Sequence, residues 1–191
     1  MKPAYILFSL VFFLGSLKTQ ASRNPNESQI PKHFIGERFG GGIVFYIYED
    51  GQHGLIASRQ DLHPGIVWYN GLTRKVGKLD EGFGAGKSNT AFIINKLLPD
   101  DKEGMFAARI CAEYSVTEKG IVYKDWFLPS KVELDLLYQQ RKIVGGFTYD
   151  NYWSSNEYQF NSIWVQNFGN GQHRISNSES YGNAVRAIRS F

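Results

Sequence analysis

The sequence KDWFLPSKVE occupies residues 124–133 and is the clearest local signal in the chain. An apolar segment ends at Pro129, and Ser130 is followed three residues later by Glu133. Ser and Glu at this spacing form a capping box, in which each side chain accepts a hydrogen bond from the backbone N–H of the other residue. We therefore predict a strand followed directly by a helix, with an apolar stripe formed by Leu134, Leu137 and Tyr138. We also expect loss of the Ser130 side chain to destabilise the fold more than loss of the Glu133 side chain.

Upstream of this stretch, the pattern predicts strands followed by helices. Residues 43–48 and 53–58 are separated by the turn sequence EDGQ, which predicts a β-hairpin, and residues 66–69 are predicted to form another strand. Helices are predicted over residues 90–98, capped by Ser88 or Asn89, and over residues 103–114. Between these regions, GFGAGKS at residues 82–88 departs from the spacing of a phosphate-binding loop, and we interpret it as a loop leading to a helix cap.

Downstream, the sequence predicts an antiparallel β region. Candidate strands cover residues 152–157, 162–168, 172–175 and 184–190, and GNG at residues 169–171 is typical of a tight turn. Arg186 and Arg189 on the last strand could serve buried ion pairs or a ligand equally well. The whole pattern predicts one domain of mixed helices and strands.

The first 21 residues have the composition of a signal peptide. Lys2 precedes the apolar residues 4–14, and TQA at residues 19–21 resembles a cleavage site. The apolar run is shorter than the roughly 20 residues that span a bilayer. We predict a signal peptide over 1–21, a polar linker over 22–35 and a domain over 36–191, with no stable membrane span after cleavage. The expected location is secreted or at the cell surface; the periplasm and an uncleaved anchor are the alternatives.

Composition narrows the classes of function. Cleavage removes two lysines and no acidic residue, so the formal net charge falls from +3 to +1, and nucleic acid is not an expected partner. Cys111 is the single cysteine, and its helical context predicts a buried core residue. The four histidines are scattered, so we predict no zinc site and no cofactor, whereas calcium binding stays open.

Residues 151–183 have the composition of a recognition surface. More than half of them are Asn, Ser, Tyr or Gly, with Trp153, Trp164 and Arg174 interspersed. Aromatic side chains offer rigid contact area, and small polar ones offer adaptable hydrogen bonds, a combination that suits sugars. Turn-rich β regions have a similar composition, in which case both tryptophans belong to the core.

We predict that ligand contacts come mainly from this region. Arg174 is the first candidate, because it follows a tight turn and its guanidinium matches sulfate or carboxylate. The other candidates are Asn156, Asn167, Asn177 and Tyr181, and a second basic patch consists of Arg74, Lys75 and Lys78.

Four motifs in a fixed order carry a family resemblance: GGGIVF at residues 40–45, DWFLPSKVEL at 125–134, YWSSNE at 152–157 and VRAIR at 185–189. Together they resemble the domain family found at the C-terminus of the bacterial collagen-like adhesin Lcl. The resemblance covers residues 36–191. It implies an α+β, C-type-lectin-like fold with β-hairpins and two to three helices, related to formylglycine-generating enzymes. It also implies binding of sulfated glycosaminoglycans by a homotrimer.

The sequence departs from the relatives of this family in three respects. It has no Gly-x-y collagen repeat, it lacks the calcium-dependent sugar motifs of animal lectins, and Cys111 has no partner for the cysteine pair of formylglycine-generating enzymes. The leading hypothesis is a secreted or surface-associated, adhesin-like binding module for sulfated or other anionic glycans, or for a host surface protein. The alternatives are an enzyme acting on envelope polysaccharide and a structural envelope protein.

Overall fold

The computed structural model describes residues 32–69, 75–77, 79–148, 150–179 and 182–191. The predicted signal peptide and most of the predicted linker lie outside these ranges. The described residues form four helices, which account for about 21% of the structure, and three antiparallel sheets, which account for about 30%. This combination confirms the predicted α+β class. No helix in the described ranges is both long enough and apolar enough to cross a bilayer.

The first sheet joins the two ends of the described domain. Its strands are β1 (Arg38–Phe39), β2 (Gly42–Ile47), β3 (Gly54–Ala57) and β9 (Ile188–Ser190), in the order β1-β2-β3-β9. Strands β2 and β3 form the predicted hairpin. The predicted strand 184–190 is regular only in its last three residues, while Ala184 and Val185 form isolated bridges.

The remaining strands form two smaller sheets. Strands β4 (Val116–Glu118) and β5 (Ile121–Tyr123) are a hairpin that the sequence analysis did not predict. The third sheet has the order β6-β7-β8 and consists of β6 (Asn151–Gln159), β7 (Ser162–Asn167) and β8 (His173–Asn177). It corresponds to the predicted C-terminal β region.

The four helices differ in detail from the prediction. They are α1 (Gly86–Leu97), α2 (Ala107–Glu113), α3 (Lys131–Gln139) and the short α4 (Arg141–Val144), which was not predicted. Helix α1 begins four residues earlier than expected, after Ala85, whose own side chain makes no capping hydrogen bond. The predicted cap at Ser88 or Asn89 is therefore wrong, because both residues lie inside the helix.

Residues 66–69 do not form the predicted strand, although Ile66, Trp68 and Tyr69 are buried. The backbone N–H of Trp68 donates to the Ser178 carbonyl at 2.8 Å, and the Trp153 indole donates to the Ile66 carbonyl at 2.7 Å. Isolated hydrogen bonds of this kind satisfy buried backbone N–H and C=O groups without the repeated hydrogen bonds of a sheet. Apolar character here reflects burial rather than strand formation.

The capping box of α3 is confirmed, and the Glu133 carboxylate also accepts hydrogen bonds from residues outside the box. Glu133 N–H donates to Ser130 Oγ at 3.3 Å, and Ser130 N–H donates to Glu133 Oε2 at 2.8 Å. The same buried carboxylate accepts from Gly84 N–H at 3.0 Å and from Gly86 N–H at 3.2 Å, at the start of α1. A Cβ at Gly86 would lie 2.3 Å from Glu133 Oε2, so this position requires glycine. The glycine-rich loop thus binds an internal carboxylate.

The core confirms the predicted burial of Cys111 and distinguishes between the two roles left open for Arg186. Cys111 is fully buried, and burial raises the pKa of its thiol well above the usual range. Arg186 is also buried, and its Nε donates to Asp61 Oδ1 at 2.7 Å while its guanidinium lies 3.9 Å from the centre of the Phe147 ring. Of the two roles considered for Arg186, the structure therefore supports the buried ion pair.

Candidate functional site

The predicted ligand residues lie in different environments. Arg174 is exposed on β8 and donates to Gln172 Oε1 at 3.0 Å, and Asn177 is exposed at the end of the same strand. Asn167 is half-buried and accepts hydrogen bonds from the backbone N–H groups of Gly169 and Asn170, so its side chain stabilises the turn between β7 and β8. Of these three residues, Arg174 and Asn177 therefore present much of their surface to solvent, and Asn167 does not.

The structure does not support the prediction that Asn156 contacts a ligand. Its side chain is fully buried, accepts a hydrogen bond from Lys131 N–H at 2.8 Å and donates to the Asp80 carbonyl at 2.8 Å. These bonds connect β6 to the start of α3 and to the loop before α1. A ligand at the surface cannot reach this amide, so Asn156 belongs to the scaffold that supports the site.

Three of the other predicted residues, Arg74, Lys78 and Tyr181, lie outside the described residues. Lys75 is described and exposed, and it lines a cleft that has a volume of about 740 Å³. This feature, called here the 75–81 cleft, lies between the chain before α1 and the end of β6. Its lining residues are Lys75, Gly77, Leu79, Asp80, Glu81, Glu157, Tyr158 and Gln159.

Three carboxylates line the cleft, and each is oriented by a contact with the protein. Glu157 Oε2 accepts from Gly77 N–H at 3.0 Å, and Asp80 Oδ1 accepts from Gly82 N–H at 2.8 Å. Glu81 Oε2 lies 3.0 Å from Lys131 Nζ. Burial raises the pKa of Glu157, although the Gly77 hydrogen bond and the Lys75 charge act in the opposite direction. Each carboxylate has a second oxygen with which to accept further hydrogen bonds.

An aromatic shelf, consisting of Tyr158 and Trp164, adjoins the cleft. Their ring centres are 5.1 Å apart at an interplanar angle of 71°, and Tyr158 is 47% exposed. Lys131 Nζ lies 3.8 Å from the centre of the Trp164 ring and also forms an ion pair with Glu81. Lys131 therefore connects the shelf to one of the carboxylates that line the cleft. The Trp164 indole N–H is buried and has no hydrogen-bond partner among the described residues.

This cleft was not predicted from the sequence. Trp164 was expected to be either a core or a surface residue, and neither Glu157 nor Tyr158 was a candidate ligand residue. One signal was present: Glu157 and Tyr158 follow the run 152–156, in which every side chain is buried, and precede the turn at Phe160 and Asn161. The end of a buried strand next to a turn is where side chains emerge at the surface.

No protein-family model and no curated protein matches this chain. Within the described ranges, no three His, Cys, Asp or Glu side chains are grouped in a way that could hold a metal ion. The geometry and charge of the cleft are therefore the basis for its functional interpretation.

Proposed function

We propose that this chain is a carbohydrate-binding module, and that a saccharide binds in the 75–81 cleft against the aromatic shelf. The observation that carries the proposal is the half-exposed Tyr158 ring, packed on Trp164 at the edge of a cleft of about 740 Å³ lined by polar side chains. A cleft of this size is within the usual range for small-ligand sites, roughly 300–1,000 Å³.

The chemistry of the cleft is complementary to a sugar ring. One face of a pyranose carries C–H groups that pack on an aromatic ring, while its hydroxyls lie around the rim. The carboxylates of Asp80, Glu81 and Glu157 can accept from those hydroxyls, and Lys75 and Gln159 can donate to them. Because the carboxylates are already held by the protein, little side-chain ordering is needed on binding.

The charge of the cleft favours a neutral or amino sugar over a sulfated one. Three carboxylates and one lysine line the described part, and Lys131 is already paired with Glu81. Bringing sulfate next to these carboxylates would cost free energy through like-charge repulsion. An anionic glycan is therefore not the preferred ligand of this cleft.

A sulfated glycan remains the second candidate, at a different place. Arg174 is exposed on β8 and its guanidinium donates to a neutral amide, Gln172, so its charge is available to an anion. Binding there is expected to weaken with salt, since exposed charges are screened over about 10 Å at 0.1 M ionic strength.

Binding of three oligosaccharides tests the proposal. The probes are hexamers of N-acetylglucosamine and of glucosamine, and a heparin-derived hexasaccharide, each titrated at two salt concentrations. We expect a neutral or amino hexamer to bind, and Tyr158→Ala to weaken that binding roughly tenfold, because one aromatic contact accounts for about 1 kcal/mol or more. Phe34→Ala is the matched control, since Phe34 is 64% exposed and lies outside the cleft.

Other results would contradict the proposal. If Tyr158→Ala and Phe34→Ala bind alike, the shelf is not the site. If only the heparin probe binds, with steep salt dependence that Arg174→Ala abolishes, the second candidate is correct. If mass spectrometry shows cleaved probe after incubation, the chain is an enzyme acting on saccharides.

A further inference from the structure

We infer that the ligand is an extended oligosaccharide that also occupies a second aromatic concavity, next to the loop formed by residues 80–85. This inference rests on the proposed function and specifies the length of the saccharide. The second concavity has a volume of about 650 Å³ and is lined by the end of β2 and the turn that follows it. Its lining residues are Tyr46, Ile47, Tyr48, Glu49, Asp50 and His53.

An aromatic cluster of Tyr46, Tyr48 and Phe83 marks this second concavity. The ring centre of Phe83 lies 4.9 Å from that of Tyr46 and 5.6 Å from that of Tyr48. Tyr48 is 41% exposed and Phe83 is 38% exposed, so the cluster presents aromatic surface to solvent. Contiguous exposed aromatic surface rimmed by polar groups is typical of binding sites.

Polar groups border this cluster as they border the first cleft. Asp50 Oδ2 lies 2.5 Å from His53 Nδ1, and Asp50 Oδ1 accepts from Gln52 N–H at 2.8 Å. Backbone hydrogen bonding and His53 hold the pKa of Asp50 at about 2, so this carboxylate is ionised across the physiological range. The two concavities thus share one chemistry, an aromatic surface beside fixed carboxylates.

One short loop lines the first concavity and packs on the aromatic residues of the second. Asp80 and Glu81 line the 75–81 cleft, and Phe83 packs on the tyrosines of the second. Two peptide units separate Glu81 from Phe83, so their Cα atoms are at most about 7 Å apart. A chain of several sugars that crosses this loop would contact both surfaces.

The loop is held in place before any ligand arrives. Ser130 Oγ donates to the Gly82 carbonyl at 2.8 Å, Val132 N–H donates to the Glu81 carbonyl at 3.3 Å, and Glu133 accepts from Gly84 N–H at 3.0 Å. These bonds anchor both sides of Phe83 to the start of α3. A preorganised ridge of this kind reduces the entropic cost of binding a long, flexible ligand.

A length series tests the inference. The dimer and the hexamer of glucosamine, and the dimer and the hexamer of N-acetylglucosamine, are titrated into the full chain. We expect the hexamer to bind about tenfold or more tightly than the dimer, as one added aromatic contact region implies. Phe83→Ala should reduce hexamer affinity to that of the dimer and leave dimer affinity unchanged, and Tyr48→Ala should act in the same direction. Phe34→Ala is again the control.

The outcomes separate this inference from the proposed function. Dimer binding that is sensitive to Tyr158→Ala, with a hexamer that binds no more tightly, would overturn the extended site and leave the proposed function standing. Hexamer binding that Phe83→Ala and Tyr48→Ala leave unchanged would do the same. Failure of all four probes to bind would contradict both proposals.

Discussion

Glu133 illustrates how a single buried side chain can organise the surroundings of a site. Its carboxylate accepts hydrogen bonds from Ser130, Gly84 and Gly86, and so it connects the first turn of α3 to the first turn of α1. Desolvation raises its pKa, while the hydrogen bonds lower it in part. The loop formed by residues 80–85 is attached to the core through this group.

Substitution of the two capping residues tests this role. Ser130→Ala should lower the free energy of unfolding by about 0.5–2 kcal/mol, the usual cost of losing an N-cap. Glu133→Ala should cost more, because the buried N–H groups of Ser130 and Gly86 lose their acceptor, as does the N–H of the exposed Gly84, and each unpaired buried group costs about 1–3 kcal/mol. This order is the reverse of the expectation from sequence, which counted only the local box. Urea denaturation of the two variants measures both values; an equal or smaller loss for Glu133→Ala would contradict the assignment.

Tyr152 provides a prediction about pH. Burial, together with the nearby Asp61, raises the pKa of Tyr152 to about 12. The Tyr152 hydroxyl donates a hydrogen bond to Asp61 Oδ2 at 2.7 Å. The folded state therefore favours the protonated phenol, so the stability that this group contributes is present below pH 10 and is lost as pH rises towards 12.

We expect Tyr152→Phe to be less stable than the wild type at pH 9, by about 1 kcal/mol for the lost hydrogen bond. The difference should shrink as the pH is raised above 10. Denaturant unfolding of both proteins at pH 9 and pH 11 measures it. A difference that stays constant would show that Tyr152 does not titrate as described.

At the scale of elements, the turn between β7 and β8 positions the strand that carries Arg174. Gly171 has a φ of +80°, and a Cβ at this position would lie 2.6 Å from the Tyr138 ring. Gly120, in the turn between β4 and β5, has a similar φ of +79° but faces open space. Substituting each glycine in turn therefore distinguishes the free-energy cost of backbone strain from that of steric overlap.

Gly171→Ala should destabilise the protein more than Gly120→Ala does. Backbone strain alone accounts for about 1–2 kcal/mol in each variant, and the overlap with Tyr138 adds to it only at Gly171. Thermal or urea unfolding of both variants gives the comparison. Equal losses would mean that the turn does not pack on α3 as the structure describes.

The capping box of α3 was predicted correctly because it is local, whereas the start of α1 was not because it depends on a distant residue. Ser130 and Glu133 are three residues apart, so their capping box is visible in the sequence. The start of α1 depends instead on Glu133, which lies 47 residues from Gly86. The β4–β5 hairpin was missed because Lys119 occupies a turn position with a φ of +50°, where turn rules favour Asn, Asp or Gly.

At the scale of the whole molecule, the candidate site combines segments that are far apart in the sequence. The bond between Gly77 and Glu157 joins residues 80 positions apart, and no local pattern reveals it. Composition pointed to the C-terminal β region, but it did not distinguish the buried Asn156 from the exposed Tyr158. The irregular register between Trp153 and Glu157 disrupts the alternation on which such a distinction depends.

Trp164 offers a direct optical measurement of ligand binding. The other three tryptophans, Trp68, Trp126 and Trp153, are at most 2% exposed, whereas Trp164 is partly exposed and belongs to the aromatic shelf. A saccharide in the 75–81 cleft should therefore change the fluorescence of Trp164 and leave that of the buried tryptophans nearly constant.

The most direct test of the central claim is a fluorescence titration of the full chain with the hexamers of N-acetylglucosamine and glucosamine. We predict a saturable change in tryptophan emission in the wild type and in Phe34→Ala. The change should be lost in Trp164→Phe, while a calorimetric titration still detects binding by that variant. An undiminished fluorescence change in Trp164→Phe, or no saturable change in the wild type, would contradict a saccharide site at the shelf.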